Sequence, residues 1–292
     1  MTPAAPDWAA MLGDAYAEFR AVLVRALADM QIVVDEAHID CGVLHTPASG
    51  TMGLTNVARL CHAAPRERWP MVIADHLRRA TAKAVPIDFA QAAPNLRLRI
   101  TPDRLVEANP AAYVSRELAR GLYLTIAIDK PEHVVFVHSR ELAEWQRTAD
   151  ELFEIAGANT RAEPALERQE IELVDGPTLT VLLGDSYFTA SHVLFLERYL
   201  DEGAHGLLVG VPDRHALVVL PLVDKASLGG FGPIVRLCHA RFAEEPGAIT
   251  DQLYWRRGHE YVKVACGVRD DGTPWVAPPE AFNELVGRLS AG

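Results

Sequence analysis

The alternation of apolar and polar positions along the chain predicts both helices and strands. Apolar residues recur every three to four positions in several segments, a spacing typical of amphipathic helices: 8–29, 140–157, 189–202 and 279–289. Short β-branched and aromatic runs predict strands, which come mostly as pairs around turn residues: 32–47, 121–139, 168–183 and 206–221. Because these strands are joined as hairpins rather than separated one by one by helices, the pattern favours an α+β fold with mostly antiparallel sheets.

One pentapeptide, Arg-Leu-Cys-His-Ala, occurs twice, at residues 59–63 and 236–240. Upstream of each copy lie an amphipathic helix, a hairpin pattern that ends in Pro47 or Pro221, and a loop that contains glycine. The order of these elements predicts two pseudo-repeated lobes of hairpins with packed helices, in which residues 30–80 superpose on residues 204–257. Two copies are fewer than a solenoid requires.

Charge divides the chain near residue 160. Residues 150–175 carry eight acids and two bases, and they include a glycine- and proline-containing stretch typical of a linker. Residues 59–104 carry nine bases and four acids. This basic stretch could face an anionic partner, but scattered surface arginines are the commoner interpretation. The sequence therefore predicts an N-terminal lobe, 1–160, with the basic stretch and a central hairpin, and a C-terminal lobe, 161–292.

Composition restricts the class of protein more than its activity. The 292 residues are 49% hydrophobic and 23% charged, with a net charge of −11 that argues against non-specific binding to nucleic acid. Four cysteines without a CxxC motif fit a reducing compartment. The sequence lacks a signal-peptide pattern and an apolar run of about 20 residues, so we expect a cytoplasmic protein without a membrane partner.

Two consecutive segments of the second half resemble a known family. Residues 184–196 (GDSYFTASHVLFL) and 207–219 (LLVGVPDRHALVV) are similar to paired signatures of bacterial proteins that carry domain of unknown function 1444. Similarity also extends to residues 95–101, 121–129 and 134–145, so that it spans roughly residues 30–260. The resemblance implies a cytoplasmic bacterial protein of α+β fold, and no activity or catalytic residue is assigned in that family. This sequence departs from it by Asp213-Arg214-His215 in the hairpin turn and by the repeated pentapeptide.

The repeated pentapeptide supplies two Cys-His pairs, Cys61-His62 and Cys238-His239. Four such ligands could form a tetrahedral zinc site across the two lobes. Adjacent helical residues, however, point about 100° apart and do not chelate one ion easily. The sequence therefore favours buried cysteines on apolar helix faces, with the histidines at the rim, and no cofactor.

Asp185 and Ser186 precede an amphipathic pattern and have two interpretations. A hydrolase would place its nucleophile in a G-x-S-x-G turn, but Asp185 and Tyr187 flank Ser186, and Phe188 occupies the position of the second glycine. Capping of the following helix by Asp185, Ser186 or Thr189 is the simpler interpretation.

Asp213-Arg214-His215 predicts a type I turn at an exposed hairpin tip, which could present charged groups to a partner. From the sequence we expect a non-catalytic protein-binding or adaptor protein, with another protein as partner and a homo-oligomer left open. The alternative is a hydrolase or zinc-dependent enzyme whose site is assembled between the lobes from distant residues, such as His62, His239, Asp185 and Ser186.

Overall fold

The computed structural model describes residues 7–32, 39, 43–46, 50–81, 87–107, 111–130, 134–174 and 176–291. The chain forms two compact units, Met1–Ile87 and Asp88–Gly292. Residue 160, the predicted boundary, lies inside a helix of the second unit, Ala149–Arg161, which packs against the strand Leu96–Pro102. The two compact units therefore divide the chain after Ile87, whereas the sequence predicts lobes of residues 1–160 and 161–292.

The first unit is mainly helical. Its elements are α1 (Asp7–Leu12), α2 (Tyr16–Asp29), β1 (Val43–Thr46), β2 (Gly50–Gly53), α3 (Thr55–His62) and α4 (Trp69–Thr81). The predicted helix 8–29 is interrupted by a 3₁₀ turn at Gly13–Ala15, where Gly13 has a positive φ of 52°. The core packs Phe19, Leu23, Cys61 and Ile73, all fully buried, because their spacing places them on the inner faces of α2, α3 and α4.

A small antiparallel sheet begins the second unit. Its strands are β3 (Leu96–Pro102), β4 (Ser115–Ala119), β5 (Leu122–Asp129) and β6 (Val134–Phe136), and the helices around them are α5 (Phe89–Ala92), α6 (Asp103–Glu107), α7 (Ser139–Trp145) and α8 (Ala149–Arg161). The hairpin predicted at 121–139 is confirmed, since β5 pairs with β6. Its predicted turn falls mostly on residues 131–133, outside the described residues.

Helices α7 and α8 correct the prediction of one helix over 140–157. Gln146 ends α7 in the left-handed conformation, with a φ of 52°, and this breaks the helix. Thr148 then starts α8 with a capping box, in which its side chain accepts a hydrogen bond from Glu151 N and the Glu151 carboxylate accepts one from Thr148 N.

A seven-stranded sheet forms the rest of the second unit. Its strands are β7 (Glu167–Glu172), β8 (Thr178–Leu183), β9 (Leu207–Asp213), β10 (Ala216–Pro221), β11 (Leu253–Arg257), β12 (Glu260–Val268) and β13 (Pro274–Ala277), in the order β13-β12-β11-β9-β10-β8-β7. All neighbouring strands are antiparallel, which confirms the α+β class with antiparallel sheets. Helices α9 (Phe231–Glu244) and α10 (Glu280–Ala291) contribute Ile234, Cys238 and Phe282 to the core on one face.

The other face of this sheet packs against the 3₁₀ segment Thr189–Arg198 and part of the small sheet. An amphipathic α-helix was expected at 189–202. Phe195 has non-helical angles within the 3₁₀ segment, which is therefore kinked rather than a continuous helix. Val193 and Leu196 nevertheless face the core, as their spacing predicts.

Each copy of the repeated pentapeptide lies in a helix that follows an antiparallel hairpin: α3 after β1–β2, and α9 after β9–β10. The two hairpins do not correspond in the way that the matching prolines predict. In the first unit, β1 ends at Thr46 and pairs with β2, which follows at Gly50–Gly53. In the second unit, Pro221 ends β10, the second strand of its hairpin. Pro47 and nearly all of residues 33–42 lie outside the described residues. The superposition of the two segments stays a prediction.

In the part of the chain that the structure describes, every helix is too short or too polar to cross a membrane.

Candidate anion-binding site

The turn between β9 and β10 is covered, so its prediction as an exposed tip is wrong. Asp213 is fully buried, and Arg214 and His215 are half-buried. The chain near Gly247 lies against the turn, where Arg214 N donates to Gly247 O at 3.1 Å and Asp213 forms a bridge with Ala248. The turn is therefore a fixed part of the fold.

Both oxygens of the buried Asp213 carboxylate accept hydrogen bonds. Arg241, on α9, donates from Nε to Oδ2 at 2.9 Å, and His215 N donates to Oδ1 at 2.8 Å. A buried charge needs such a partner together with hydrogen bonds to its remaining lone pairs. Asp213 therefore fixes the backbone of the turn rather than presenting a charge to solvent.

Loop 184–188, which follows β8, lies beside this turn. His215 donates from Nδ1 to Gly184 O at 3.0 Å and accepts at Nε2 from Arg214 Nε at 2.7 Å, an arrangement that requires the neutral imidazole. Burial, followed by the charge of Arg214, lowers the pKa of His215. The structure thus brings together all five binding residues that the sequence singled out, Asp185, Ser186, Asp213, Arg214 and His215, although Asp185 itself is exposed.

Two arginines meet at this loop from distant parts of the chain. The guanidinium of Arg214 lies 4.5 Å from the ring centre of Tyr187, and that of Arg99, on β3, lies 5.1 Å from the ring centre of Phe136. Residues 190 and 191 bridge the two backbones, because Ala190 N donates to Arg214 O at 3.2 Å and Ile100 N donates to Ser191 Oγ at 3.3 Å. One dipeptide therefore joins the backbone of Arg214 to that of Ile100, the residue next to Arg99.

The positive charges of Arg99 and Arg214 are not neutralised by a paired carboxylate among the described residues. Burial and then the charge of Arg214 lower the pKa of Arg99 to about 10, and burial lowers that of Arg214. Among the described residues, neither guanidinium has a carboxylate within ion-pair distance; the nearby Asp213 oxygens are already bonded to Arg241 and His215. An anion between the two arginines would relieve this repulsion.

Among the described residues, four other arginines that stack on aromatic rings have a carboxylate partner, whereas the exposed Arg198, over Tyr199, and Arg257, over Trp255, have none. Arg116 lies over Phe153 and is paired with Asp150, and the same holds for Arg66 with Glu18, Arg147 with Glu151, and Arg161 with Glu197. Arg99 and Arg214 also lack such a partner, but they differ from Arg198 and Arg257 because they are half-buried and lie where the predicted binding residues converge.

Ser186 belongs to a second network on the other side of the loop. Its Oγ donates to Glu163 Oε2 at 3.3 Å, and Arg97 Nε donates to Glu163 Oε1 at 3.0 Å. Burial opposes ionisation of Glu163, but the imidazole of His192, with Nε2 3.8 Å from Oε2, and the hydrogen bond from Arg97 outweigh it and lower the pKa of this carboxyl. Ser186 Oγ also accepts a bond from Phe188 N at 3.1 Å, which stabilises the entry to the 3₁₀ segment. A cavity of about 420 Å³ adjoins this network.

The two Cys-His pairs lie in different units, and only their cysteines belong to the cores. Cys61 and Cys238 are fully buried, whereas His62 is exposed and His239 lies at the surface with Nδ1 3.5 Å from Asp251 Oδ2. Burial raises the pKa of the Cys61 thiol to about 12 and that of Cys238 well above its usual value. Among the described residues, no three His, Cys, Asp or Glu side chains are grouped as metal ligands would be.

Sequence reasoning missed Arg99, Tyr187, Arg241 and Glu163. One signal was available for Arg99: the alternation Leu96-Arg97-Leu98-Arg99 places both arginines on one face of a strand whose other face is apolar. Both arginines are half-buried, so they differ from the scattered surface charge that the basic stretch suggests. Their partners are 66 and 115 residues away in the sequence, and no local pattern indicates such contacts.

Comparisons with known proteins returned nothing: no family model, no curated protein and no solved structure matches this chain. The resemblance to the family of domain of unknown function 1444 stays a prediction.

Proposed function

We propose that this protein is a non-catalytic binding protein that holds an anionic group of a partner protein, a phosphoryl or carboxylate group, between Arg99 and Arg214. The observation that carries the proposal is that two half-buried guanidinium groups, each stacked on an aromatic ring, lie close enough for the charge of Arg214 to lower the pKa of Arg99, while neither is paired with a carboxylate of the described residues. Planar guanidinium groups bind such oxyanions with paired, charge-assisted hydrogen bonds. Stacking on Phe136 and Tyr187 orients both groups before the anion arrives, which reduces the entropy lost on binding.

The contacts of the candidate nucleophiles favour binding over hydrolysis or zinc chemistry. Ser186 Oγ is bonded to the Glu163 carboxylate rather than to an imidazole, so the described contacts supply no histidine base for it. Zinc binds the thiolate form of cysteine, and burial favours the thiol at Cys61 and Cys238. These observations favour the binding interpretation over the enzyme alternative.

Titration with inorganic phosphate, sulfate and acetate at constant ionic strength tests the proposal. We expect saturable changes in the NMR signals of the Arg99 and Arg214 side chains and of Tyr187. Arg99→Gln and Arg214→Gln should abolish them. Arg116→Gln is the matched control, because Arg116 is stacked on a ring in the same way but is already paired with Asp150. An unsaturable response, or one that survives Arg99→Gln, would contradict the proposal.

The partner is then found by comparing proteins that co-purify with the wild type and with the Arg99→Gln/Arg214→Gln double variant from the native cell. We expect a protein with an acidic or phosphorylated segment to be lost selectively from the double variant. Equal recovery by both forms would show that the partner does not use the arginine pair.

A further inference from the structure

Strand β7 forms an open edge of the seven-stranded sheet. It pairs with β8 on one side, and all six of its residues, Glu167–Glu172, are exposed. Within the described ranges, no backbone group of β7 is bonded to an element on its other side. An open edge of this length offers a row of free N–H and C=O groups to another extended chain.

Two other strands that end a sheet are protected. On β3, Leu98 N donates to Thr160 Oγ1 at 2.9 Å and Ile100 N donates to Ser191 Oγ at 3.3 Å, so side chains satisfy the outward amides. At the opposite edge of the large sheet, β13 has four residues and starts with Pro274, which lacks an amide hydrogen. The contrast shows that β7 is left open in a molecule that protects these edges.

The side chains of β7 give the edge a distinct chemistry. Three of the six residues are glutamates, and the single base, Arg168, is already bonded to Glu170 and to Tyr199 O. Ile171 is 39% exposed and Val174, just beyond the strand, is 95% exposed. The edge therefore combines negative charge with exposed apolar surface.

We propose that β7 is a docking edge for an extended segment of a partner protein that alternates lysine or arginine with apolar residues and adds to the sheet as an eighth strand. Main-chain hydrogen bonds provide the affinity in this mode of binding, and alternate side chains provide the specificity. A second copy of the chain fits less well, because two β7 strands would place six glutamates along one seam. This inference does not use Arg99 or Arg214, so its failure leaves the proposed function standing, and the reverse also holds.

The test uses the full chain and an eight-residue peptide, acetylated and amidated, in which lysine alternates with valine. Binding is measured by fluorescence anisotropy, and backbone amide exchange in β7 is measured by mass spectrometry. We expect saturable binding and at least tenfold slower exchange of the outward amides in residues 167–172. The same peptide with every second backbone nitrogen methylated keeps its charges but should bind at least tenfold more weakly, because it cannot pair along the edge.

Two double variants test the charge. Glu170→Lys/Glu172→Lys should weaken binding about tenfold, since two cross-strand charge pairs become repulsive. Glu244→Lys/Glu284→Lys changes the net charge equally on exposed helix positions and should bind within twofold of the wild type. The proposal is overturned if the methylated peptide binds as well as its parent, or if β7 gains no protection in the wild-type complex. It is also overturned if sedimentation shows a dimer with β7 protected in the absence of peptide.

Discussion

The guanidinium of Arg241 donates from Nε to Asp213 Oδ2 across 2.9 Å and thereby joins helix α9 to the turn that carries Arg214. The two residues are 28 positions apart in the sequence. Their exposures differ, because the side chain of Asp213 is 0% exposed and that of Arg241 is 22% exposed. The carboxylate therefore depends on the arginine more than the arginine depends on the carboxylate.

Arg241→Met should lower the free energy of unfolding by about 3–5 kcal/mol, because it leaves an uncompensated charge in the interior. Urea denaturation monitored by circular dichroism measures the change. Arg236→Met is the matched control, on the exposed face of the same helix, and should stay within about 0.5 kcal/mol of the wild type. Equal effects of the two variants would show that the ion pair contributes little.

Because Gly210 lies close to Cys238, we expect a substitution of Cys238 to restore stability that is lost by a substitution of Gly210. A Cβ added to Gly210 would overlap Cys238 Sγ, so Gly210→Ala should lower the free energy of unfolding by about 1–3 kcal/mol through overpacking. Cys238→Ala alone should cost about 1 kcal/mol, as a small truncation in the core. The double variant should be more stable than Gly210→Ala, because the added methyl group occupies the space left by the sulfur. Additive losses in this cycle would contradict the contact.

The lowered pKa of His215 predicts a specific pH dependence of stability. Because the unfolded chain takes up the proton more readily than the fold, the stabilising contribution of neutral His215 is complete above about pH 7. It declines as the pH falls from about 6.5 through the lowered pKa of the folded state. His215→Gln should reduce the loss of unfolding free energy between pH 7.5 and 5.5.

The control for this variant is His259→Gln, at an exposed position in the β11–β12 turn, which should keep the wild-type pH dependence. An unchanged pH dependence in His215→Gln would show that other groups cause it.

Arg99→Gln should abolish anion binding while leaving the thermal stability of the anion-free protein nearly unchanged. It removes a half-buried like charge and one cation–π contact, whose effects oppose each other, so we expect a melting temperature close to that of the wild type without anions. Phosphate at about 100 times its dissociation constant should stabilise the wild type by about 2.7 kcal/mol and leave the variant unchanged. Differential scanning fluorimetry at constant ionic strength measures both effects. Equal stabilisation of the two proteins would place the anion elsewhere.

Strands β7, β8, β9 and β10 of the large sheet were predictable because their signals are local. β9 and β10 are apolar runs on either side of a short polar turn, and the sequence between β7 and β8 contains the turn signal Asp-Gly-Pro. The helical segments were less predictable where the backbone leaves the regular conformation. The left-handed Gln146 divides one apolar pattern into two helices, and Phe195 disrupts another, because tertiary packing outweighs local periodicity at both positions.

The residue types of the candidate site were visible in the sequence, whereas their environment was not. A polar Asp-Arg-His turn predicts an exposed tip, since polar turns usually lie at the surface. Asp213 is buried because residues from α9 and from the chain near Gly247 cover it, and these contacts join parts of the sequence about 30 positions apart. Local patterns carry no information about such contacts.

The capped edge of β3 has a kinetic consequence. Most neighbouring strands of the large sheet are consecutive in the sequence, so their hairpins close short loops. The bonds of Leu98 to Thr160 and of Ile100 to Ser191 instead join residues 62 and 91 positions apart. Because long loops are closed late in folding, we expect Thr160→Val and Ser191→Ala to accelerate unfolding while leaving the folding rate nearly unchanged. The side chains that seal this edge thus govern how long the folded state lasts rather than how fast it forms.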